Sequence, residues 1–76
     1  MGGGTVTASV SNKTYYDTSL NISNYYAVGA KTNNGDMCYP YILSNGNWRI
    51  FFLQNDNGVI KLVSVTDTVT VYYKKI

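Results

Sequence analysis

The stretch Ser44-Asn45-Gly46-Asn47-Trp48-Arg49-Ile50-Phe51-Phe52-Leu53 decides how this chain is read. In an extended strand, successive side chains alternate between faces, so Trp48, Ile50 and Phe52 lie on one side and Arg49, Phe51 and Leu53 on the other. A helix would need apolar residues at i, i+3, i+4 and i+7, and no window supplies them. The Asn45-Gly46 pair ahead of the strand tolerates positive φ and closes a tight hairpin. Residues 37–43 are then its antiparallel partner, with Pro40 marking an edge strand or a bulge because proline lacks a ladder donor. On the other side, Asn55-Asp56-Asn57-Gly58 repeats the turn signal and leads into residues 59–65, and Thr66-Asp67 leads into residues 68–74. The C-terminal half reads as a meander of about four strands.

Towards the N-terminus, Val6, Ala8 and Val10 alternate with Thr5, Thr7 and Ser9 as far as the Ser11-Asn12-Lys13 turn cluster. Leu20, Ile22, Tyr26 and Val28 alternate with Asn21, Ser23, Tyr25 and Ala27 and stop at Thr32-Asn33-Asn34-Gly35-Asp36, which predicts one strand over that span. Both strands are expected to have one wet face. Residues 1–4 read as a flexible Gly-rich lead-in and residues 5–76 as a single β domain. The fold expected is all-β, a small antiparallel β-sandwich or jelly-roll-like meander of about six to seven strands.

Composition agrees with that class. Eight tyrosines, eight valines and eight threonines favour pleated, half-buried surfaces, while Asn favours turns. A chain of 76 residues buries only about 60% of its unfolded surface, so a single core is marginal. One cysteine excludes an intrachain disulfide, which leaves self-association as the ordinary source of extra stability. The second apolar face of residues 48–53 needs a cover. We therefore expect a homo-oligomer, closed by a three-fold or two-fold arrangement, with Phe51, Leu53, Ile60 and Leu62 in the interface.

Several chemistries lack their residues. There is no His and no Glu, and the four Asp residues, Asp17, Asp36, Asp56 and Asp67, are scattered, three of them in turns where Asp caps its own backbone. No catalytic residue, metal site or cofactor is expected. Asn55-Asp56-Asn57-Gly58 shares oxygen-rich side chains and a glycine with calcium loops, but it lacks their spacing and bidentate Glu, and it reads as a hairpin turn. Cys38, between Met37 and Tyr39, reads as inert packing. A net charge of +2, with only Lys74 and Lys75 adjacent, does not favour nucleic acid. The apolar runs are far shorter than the roughly 20 residues of a membrane-spanning helix, so no membrane insertion is expected.

The tyrosines are the strongest functional signal. They occur in adjacent or alternate positions, so in each adjacent pair one ring faces in and one out. Outward rings with polar tips suit stacking on sugars or anchoring a protein contact, although cross-strand packing is the commoner use. Tyr15, Tyr25, Tyr39, Tyr41, Trp48 and Arg49 are the candidate ligand-binding residues.

Tyr25-Tyr26-Ala27-Val28-Gly29, Cys38-Tyr39-Pro40-Tyr41, the Trp/Phe strand and the ending Val69-Thr70-Val71-Tyr72-Tyr73-Lys74-Lys75 together resemble the C-terminal tip, or receptor-binding, domains of tail fibres and minor tail proteins of tailed phages. The likeness covers about the last two-thirds of the chain. It implies a trimeric virion protein, located on the phage particle, that contacts a host-surface glycan or protein. A capsid decoration protein and a carbohydrate-binding β-sandwich module of a bacterial surface protein are the alternatives.

Overall fold

The computed structural model describes residues 2–76 and contains seven strands and no helix. In chain order they are β1 (Gly3–Lys13), β2 (Tyr15–Asn21), β3 (Tyr25–Thr32), β4 (Met37–Ile42), β5 (Asn47–Asp56), β6 (Val59–Leu62) and β7 (Val65–Lys75). All pairings are antiparallel and make two sheets. One has the order β1-β7-β3; the other has β2-β5-β4, with β6 also on β5. The all-β, sandwich-like fold expected from the alternation is the one observed.

The two central strands hold the core between the sheets. Trp48, Ile50 and Phe52 of β5 are buried, and so are Val65, Val69 and Val71 of β7, with Ile50, Phe52, Val69 and Val71 fully excluded from solvent. Each such side chain contributes roughly 1.5–3 kcal/mol on leaving water. Leu20 and Ala27 complete the buried cluster, and Val6, Val10, Tyr16, Tyr25 and Tyr73 pack around it.

Three expectations are corrected. The span read as one strand from Leu20 to Val28 is split, because Asn21 turns the chain: its carbonyl accepts from Asn24 N–H at 3.0 Å and its side chain from Ser23 N–H at 3.0 Å. β2 and β3 thereby fall in different sheets. The C-terminal meander stops after three strands, since β7 leaves β6 and inserts between β1 and β3, where its alternating valines meet the other sheet. Finally, Gly3 and Gly4 are strand residues opposite Lys74 and Tyr73 rather than a lead-in. A Cβ on Gly3 would lie 2.7 Å from the Tyr73 carbonyl oxygen, and one on Gly4 2.9 Å from the Tyr73 hydroxyl, so close approach accounts for both glycines.

One edge of β5 serves two strands. Phe52 N–H donates to the Thr14 carbonyl at 2.9 Å, and its own carbonyl accepts from Val63 N–H at 3.0 Å. Residues before Phe52 pair with β2 and those after it with β6. Alternation then directs the backbone of Ile50 to the same side, so Pro40, opposite Ile50, occupies a position on edge strand β4 that needs no donor.

Between Asp17 and Asn21 the β2–β5 register slips. Buried Thr18 repairs the ladder there: its hydroxyl donates to the Trp48 carbonyl at 2.7 Å and accepts from Leu20 N–H at 3.1 Å. Thr18→Val keeps the shape and leaves both backbone groups unmet. We expect it to cost about 2 kcal/mol, read as a lower urea midpoint at unchanged m value.

Candidate functional site

Trp48, Ile50 and Phe52 of β5 fill the core, so its odd residues face outward, and the register fixes what stands beside them. Arg49 lies opposite Asp17 of β2 and Tyr41 of β4; Phe51 lies opposite Tyr15 and Tyr39; Leu53 lies opposite Met37 and Leu62 of β6; Asn55 lies opposite Ile60. These rows build one continuous surface on the outside of the sheet. Tyr39 is 55% exposed, Leu62 53% and Ile60 50%, and Met37 and Tyr41 are nearly as open. One end of the surface is aromatic and the other aliphatic.

The aromatic end is held in place by Arg49. Its Nε donates to Asp17 Oδ1 at 2.5 Å and its Nη2 to Asp17 Oδ2 at 3.0 Å, a forked pair that aligns the guanidinium plane. That plane lies 4.1 Å from the centre of the Tyr15 ring and 5.7 Å from that of Phe51. Tyr41 meets Phe51 edge-on, with centroids 5.6 Å apart. The rings are thus braced against one cation, and their faces and hydroxyls are presented by a rigid sheet.

Hydrogen bonding from Arg49, aided by its charge, holds the Asp17 carboxyl below its ordinary value of 3.8, against a smaller opposing effect of burial. A carboxylate depressed in the folded state stabilises the protein above its unfolded pKa, and the contribution disappears as pH falls through the folded value. We expect a small loss of stability on acidification below 3.8 that Asp17→Asn removes, measured as thermal midpoint against pH. The pair is half-exposed, so the effect is modest.

Of the residues singled out in the sequence, Tyr15, Tyr39, Tyr41, Arg49, Phe51, Leu53, Ile60 and Leu62 share this surface. Tyr25 and Trp48 do not. Trp48 is buried beneath Tyr26, with centroids 5.5 Å apart, and its indole N–H donates to the Tyr25 carbonyl at 3.1 Å. Tyr25 packs edge-on against Tyr73 at 5.3 Å. Trp48 is a core residue, which corrects its assignment to ligand contact, and Tyr25 is half-buried and lies apart from this surface. Met37 and Asp17 were missed. Met37 continues the alternation of Tyr39 and Tyr41 and was legible from it; Asp17 became visible only once β2 was seen to pair with β5.

No protein-family model, curated protein or solved structure matches the chain. The surface must therefore be read from its own chemistry. Among the described residues, no three His, Cys, Asp or Glu side chains gather as metal ligands. Cys38 is half-buried, and burial, with Asp36 nearby, pushes its thiol up, so little thiolate forms at neutral pH. The opposite outer face differs in kind: Thr5, Thr7 and Ser9 of β1 oppose Tyr72, Thr70 and Thr68 of β7, a hydroxyl-rich surface. A groove of about 470 Å³ lies at its end, between the glycine run, Val28 and Tyr72, where side chains are missing from β1.

Proposed function

We propose that the protein is a non-catalytic structural and binding module of a virion, of the tail-fibre-tip or capsid-decoration kind, which self-associates through the outer face of the sheet built on β5. The observation that carries self-association is the aliphatic end of that face. Leu53, Leu62, Ile60 and Met37 stand together without a charged neighbour in their rows, on a protein whose other outer face carries a hydroxyl-rich β1–β7 pair. Contiguous apolar area of this kind marks interaction sites in monomers, and a small core gains stability by covering it. The viral setting rests on the resemblance of the last two-thirds of the chain to phage tail tips. In that setting the module sits on the particle, and the aromatic end, rich in Tyr and Arg, supplies anchors for a host-surface glycan or protein.

The test is native mass by light scattering over a dilution series. A trimeric unit of about 25 kDa, three times the 8.4 kDa protomer, or a multiple of it, is the expected result. A protomer mass at every concentration would overturn self-association. The arrangement of Tyr15, Tyr39 and Tyr41 around Phe51 and the Arg49–Asp17 pair favours a second reading, a carbohydrate-binding module that needs no oligomer. It requires glycan binding that Tyr39→Ala and Tyr41→Ala abolish while Leu62→Ala leaves it intact.

A further inference from the structure

Every strand on the border of a sheet in this fold carries a device that discourages further pairing, but on β1 that device is confined to the C-terminal end. β4 has Pro40; β3 has a register slip between Ala27 and Gly29, and Lys31; β2 slips between Asp17 and Asn21; β6 has four residues, one of them Lys61. Such bulges, prolines, charges and short lengths are what keep edges from recruiting other strands. β1 slips only between Val10 and Lys13; from Gly3 to Val10 it pairs in unbroken register, and it has no charged residue before Lys13.

The ladder shows which backbone groups β1 leaves open. Lys75 N–H donates to the Gly2 carbonyl at 2.8 Å, and the register runs from Gly3 opposite Lys74. Alternation then commits Gly4, Val6, Ala8 and Val10 to β7, and points the N–H and C=O groups of Gly3, Thr5, Thr7, Ser9 and Ser11 away from the sheet. On the inner face, Val6 and Val10 are only half-buried, because nothing flanks them on that side among the described residues.

We propose that β1 pairs antiparallel with β1 of a second copy, across a two-fold axis at Ala8. The strand is self-complementary in this register. Val6 of one copy faces Val10 of the other, Ala8 faces Ala8, and Thr7 faces Ser9, so apolar meets apolar, hydroxyl meets hydroxyl, and no like charges oppose. The outward backbone groups find partners, and the flank of the core is covered. This pairing fuses the two β1-β7-β3 sheets and uses none of the outer-face residues of the proposed function.

The test is disulfide trapping in a Cys38→Ala background. Opposed across the axis in a non-hydrogen-bonded pair, two residues at position 8 have Cα atoms about 4.5 Å apart, within the roughly 4.4–6.8 Å that a disulfide spans. Oxidised Ala8→Cys should give a covalent dimer. Thr5→Cys mixed with Ser11→Cys should also give one, whereas either alone should not. Adding Thr7→Pro, which removes an outward N–H and leaves the β7 ladder intact, should abolish trapping; adding Leu62→Asp should not, even if it disperses larger assemblies. The proposal is overturned if Ala8→Cys and the mixture trap no more dimer than Ser23→Cys, an exposed turn position. It is equally overturned if trapping survives Thr7→Pro in a folded protein, which would mean random collision.

Discussion

Phe52→Ala is expected to leave the protein largely unfolded at room temperature. Phe52 is fully buried in the central strand of its sheet and is the largest of the fully buried side chains. Truncating a core Phe to Ala costs about 3–5 kcal/mol, from lost transfer energy plus the cavity left behind. A domain of this size rarely draws more than about 3–5 kcal/mol from its core, and here no disulfide adds to it. The substitution removes what the fold has to spare. Far-UV circular dichroism and urea titration read the outcome, and Phe51→Ala, one residue along, is the control. Phe51 is half-exposed on the outer face, so its truncation should leave the protein folded with a much smaller loss. Equal losses at the two positions would show that the sheet does not bury one face against the other.

Leu62→Asp is expected to disperse the assembly without unfolding the protomer. Leu62 is more than half exposed and opposes Leu53 on the outer face, so a carboxylate there is solvated in the isolated chain. In an assembly that covers this face it becomes an unpaired buried charge, at a cost of about 3–5 kcal/mol. That weakens association by roughly 10²–10⁴-fold at 1.4 kcal/mol per tenfold. Light scattering should lose the mass held together by this face, leaving no species larger than a β1-paired dimer of two 8.4 kDa protomers, while circular dichroism is unchanged. The same change at Phe51 is less diagnostic, because Arg49 lies beside that ring and would neutralise the new carboxylate. If Leu62→Asp assembles like the parent, the aliphatic end of the face is wet.

The local half of this fold was legible in the sequence. Gly46 and Gly58 both have φ of 90° and Asn57 has φ of 53°, so the two Asn-Gly signals closed the hairpins they predicted. The alternation across residues 48–53 sorted core from surface residue by residue, and it even contained the correction to Trp48: a side chain on the face of Ile50 and Phe52 is not free to meet a ligand. What escaped was non-local. The Asn21 turn hid because Leu20, Ile22 and Tyr26 keep an even spacing across it. β7 jumps sheets for a reason that no window around it contains, since the partner of its valines is β5. The outer surface was half legible: its residues were chosen for two separate uses, and only the register of β5 with β2, β4 and β6 shows that they are one surface.

The way Phe52 divides one edge of β5 has a consequence for how the molecule opens. Past that residue, Gln54, Asn55 and Asp56 are exposed, and so is the whole of β6, with no second layer behind the ribbon. A lone two-stranded hairpin is marginal in water, so in the isolated protomer this arm lifts away at a free energy well below that of global unfolding, and its amides exchange first. The Asn57-Gly58 tip therefore belongs to a low-stability unit whose disruption leaves the two central strands paired as before. The tip is thus separated in stability from the part of the molecule that keeps it folded.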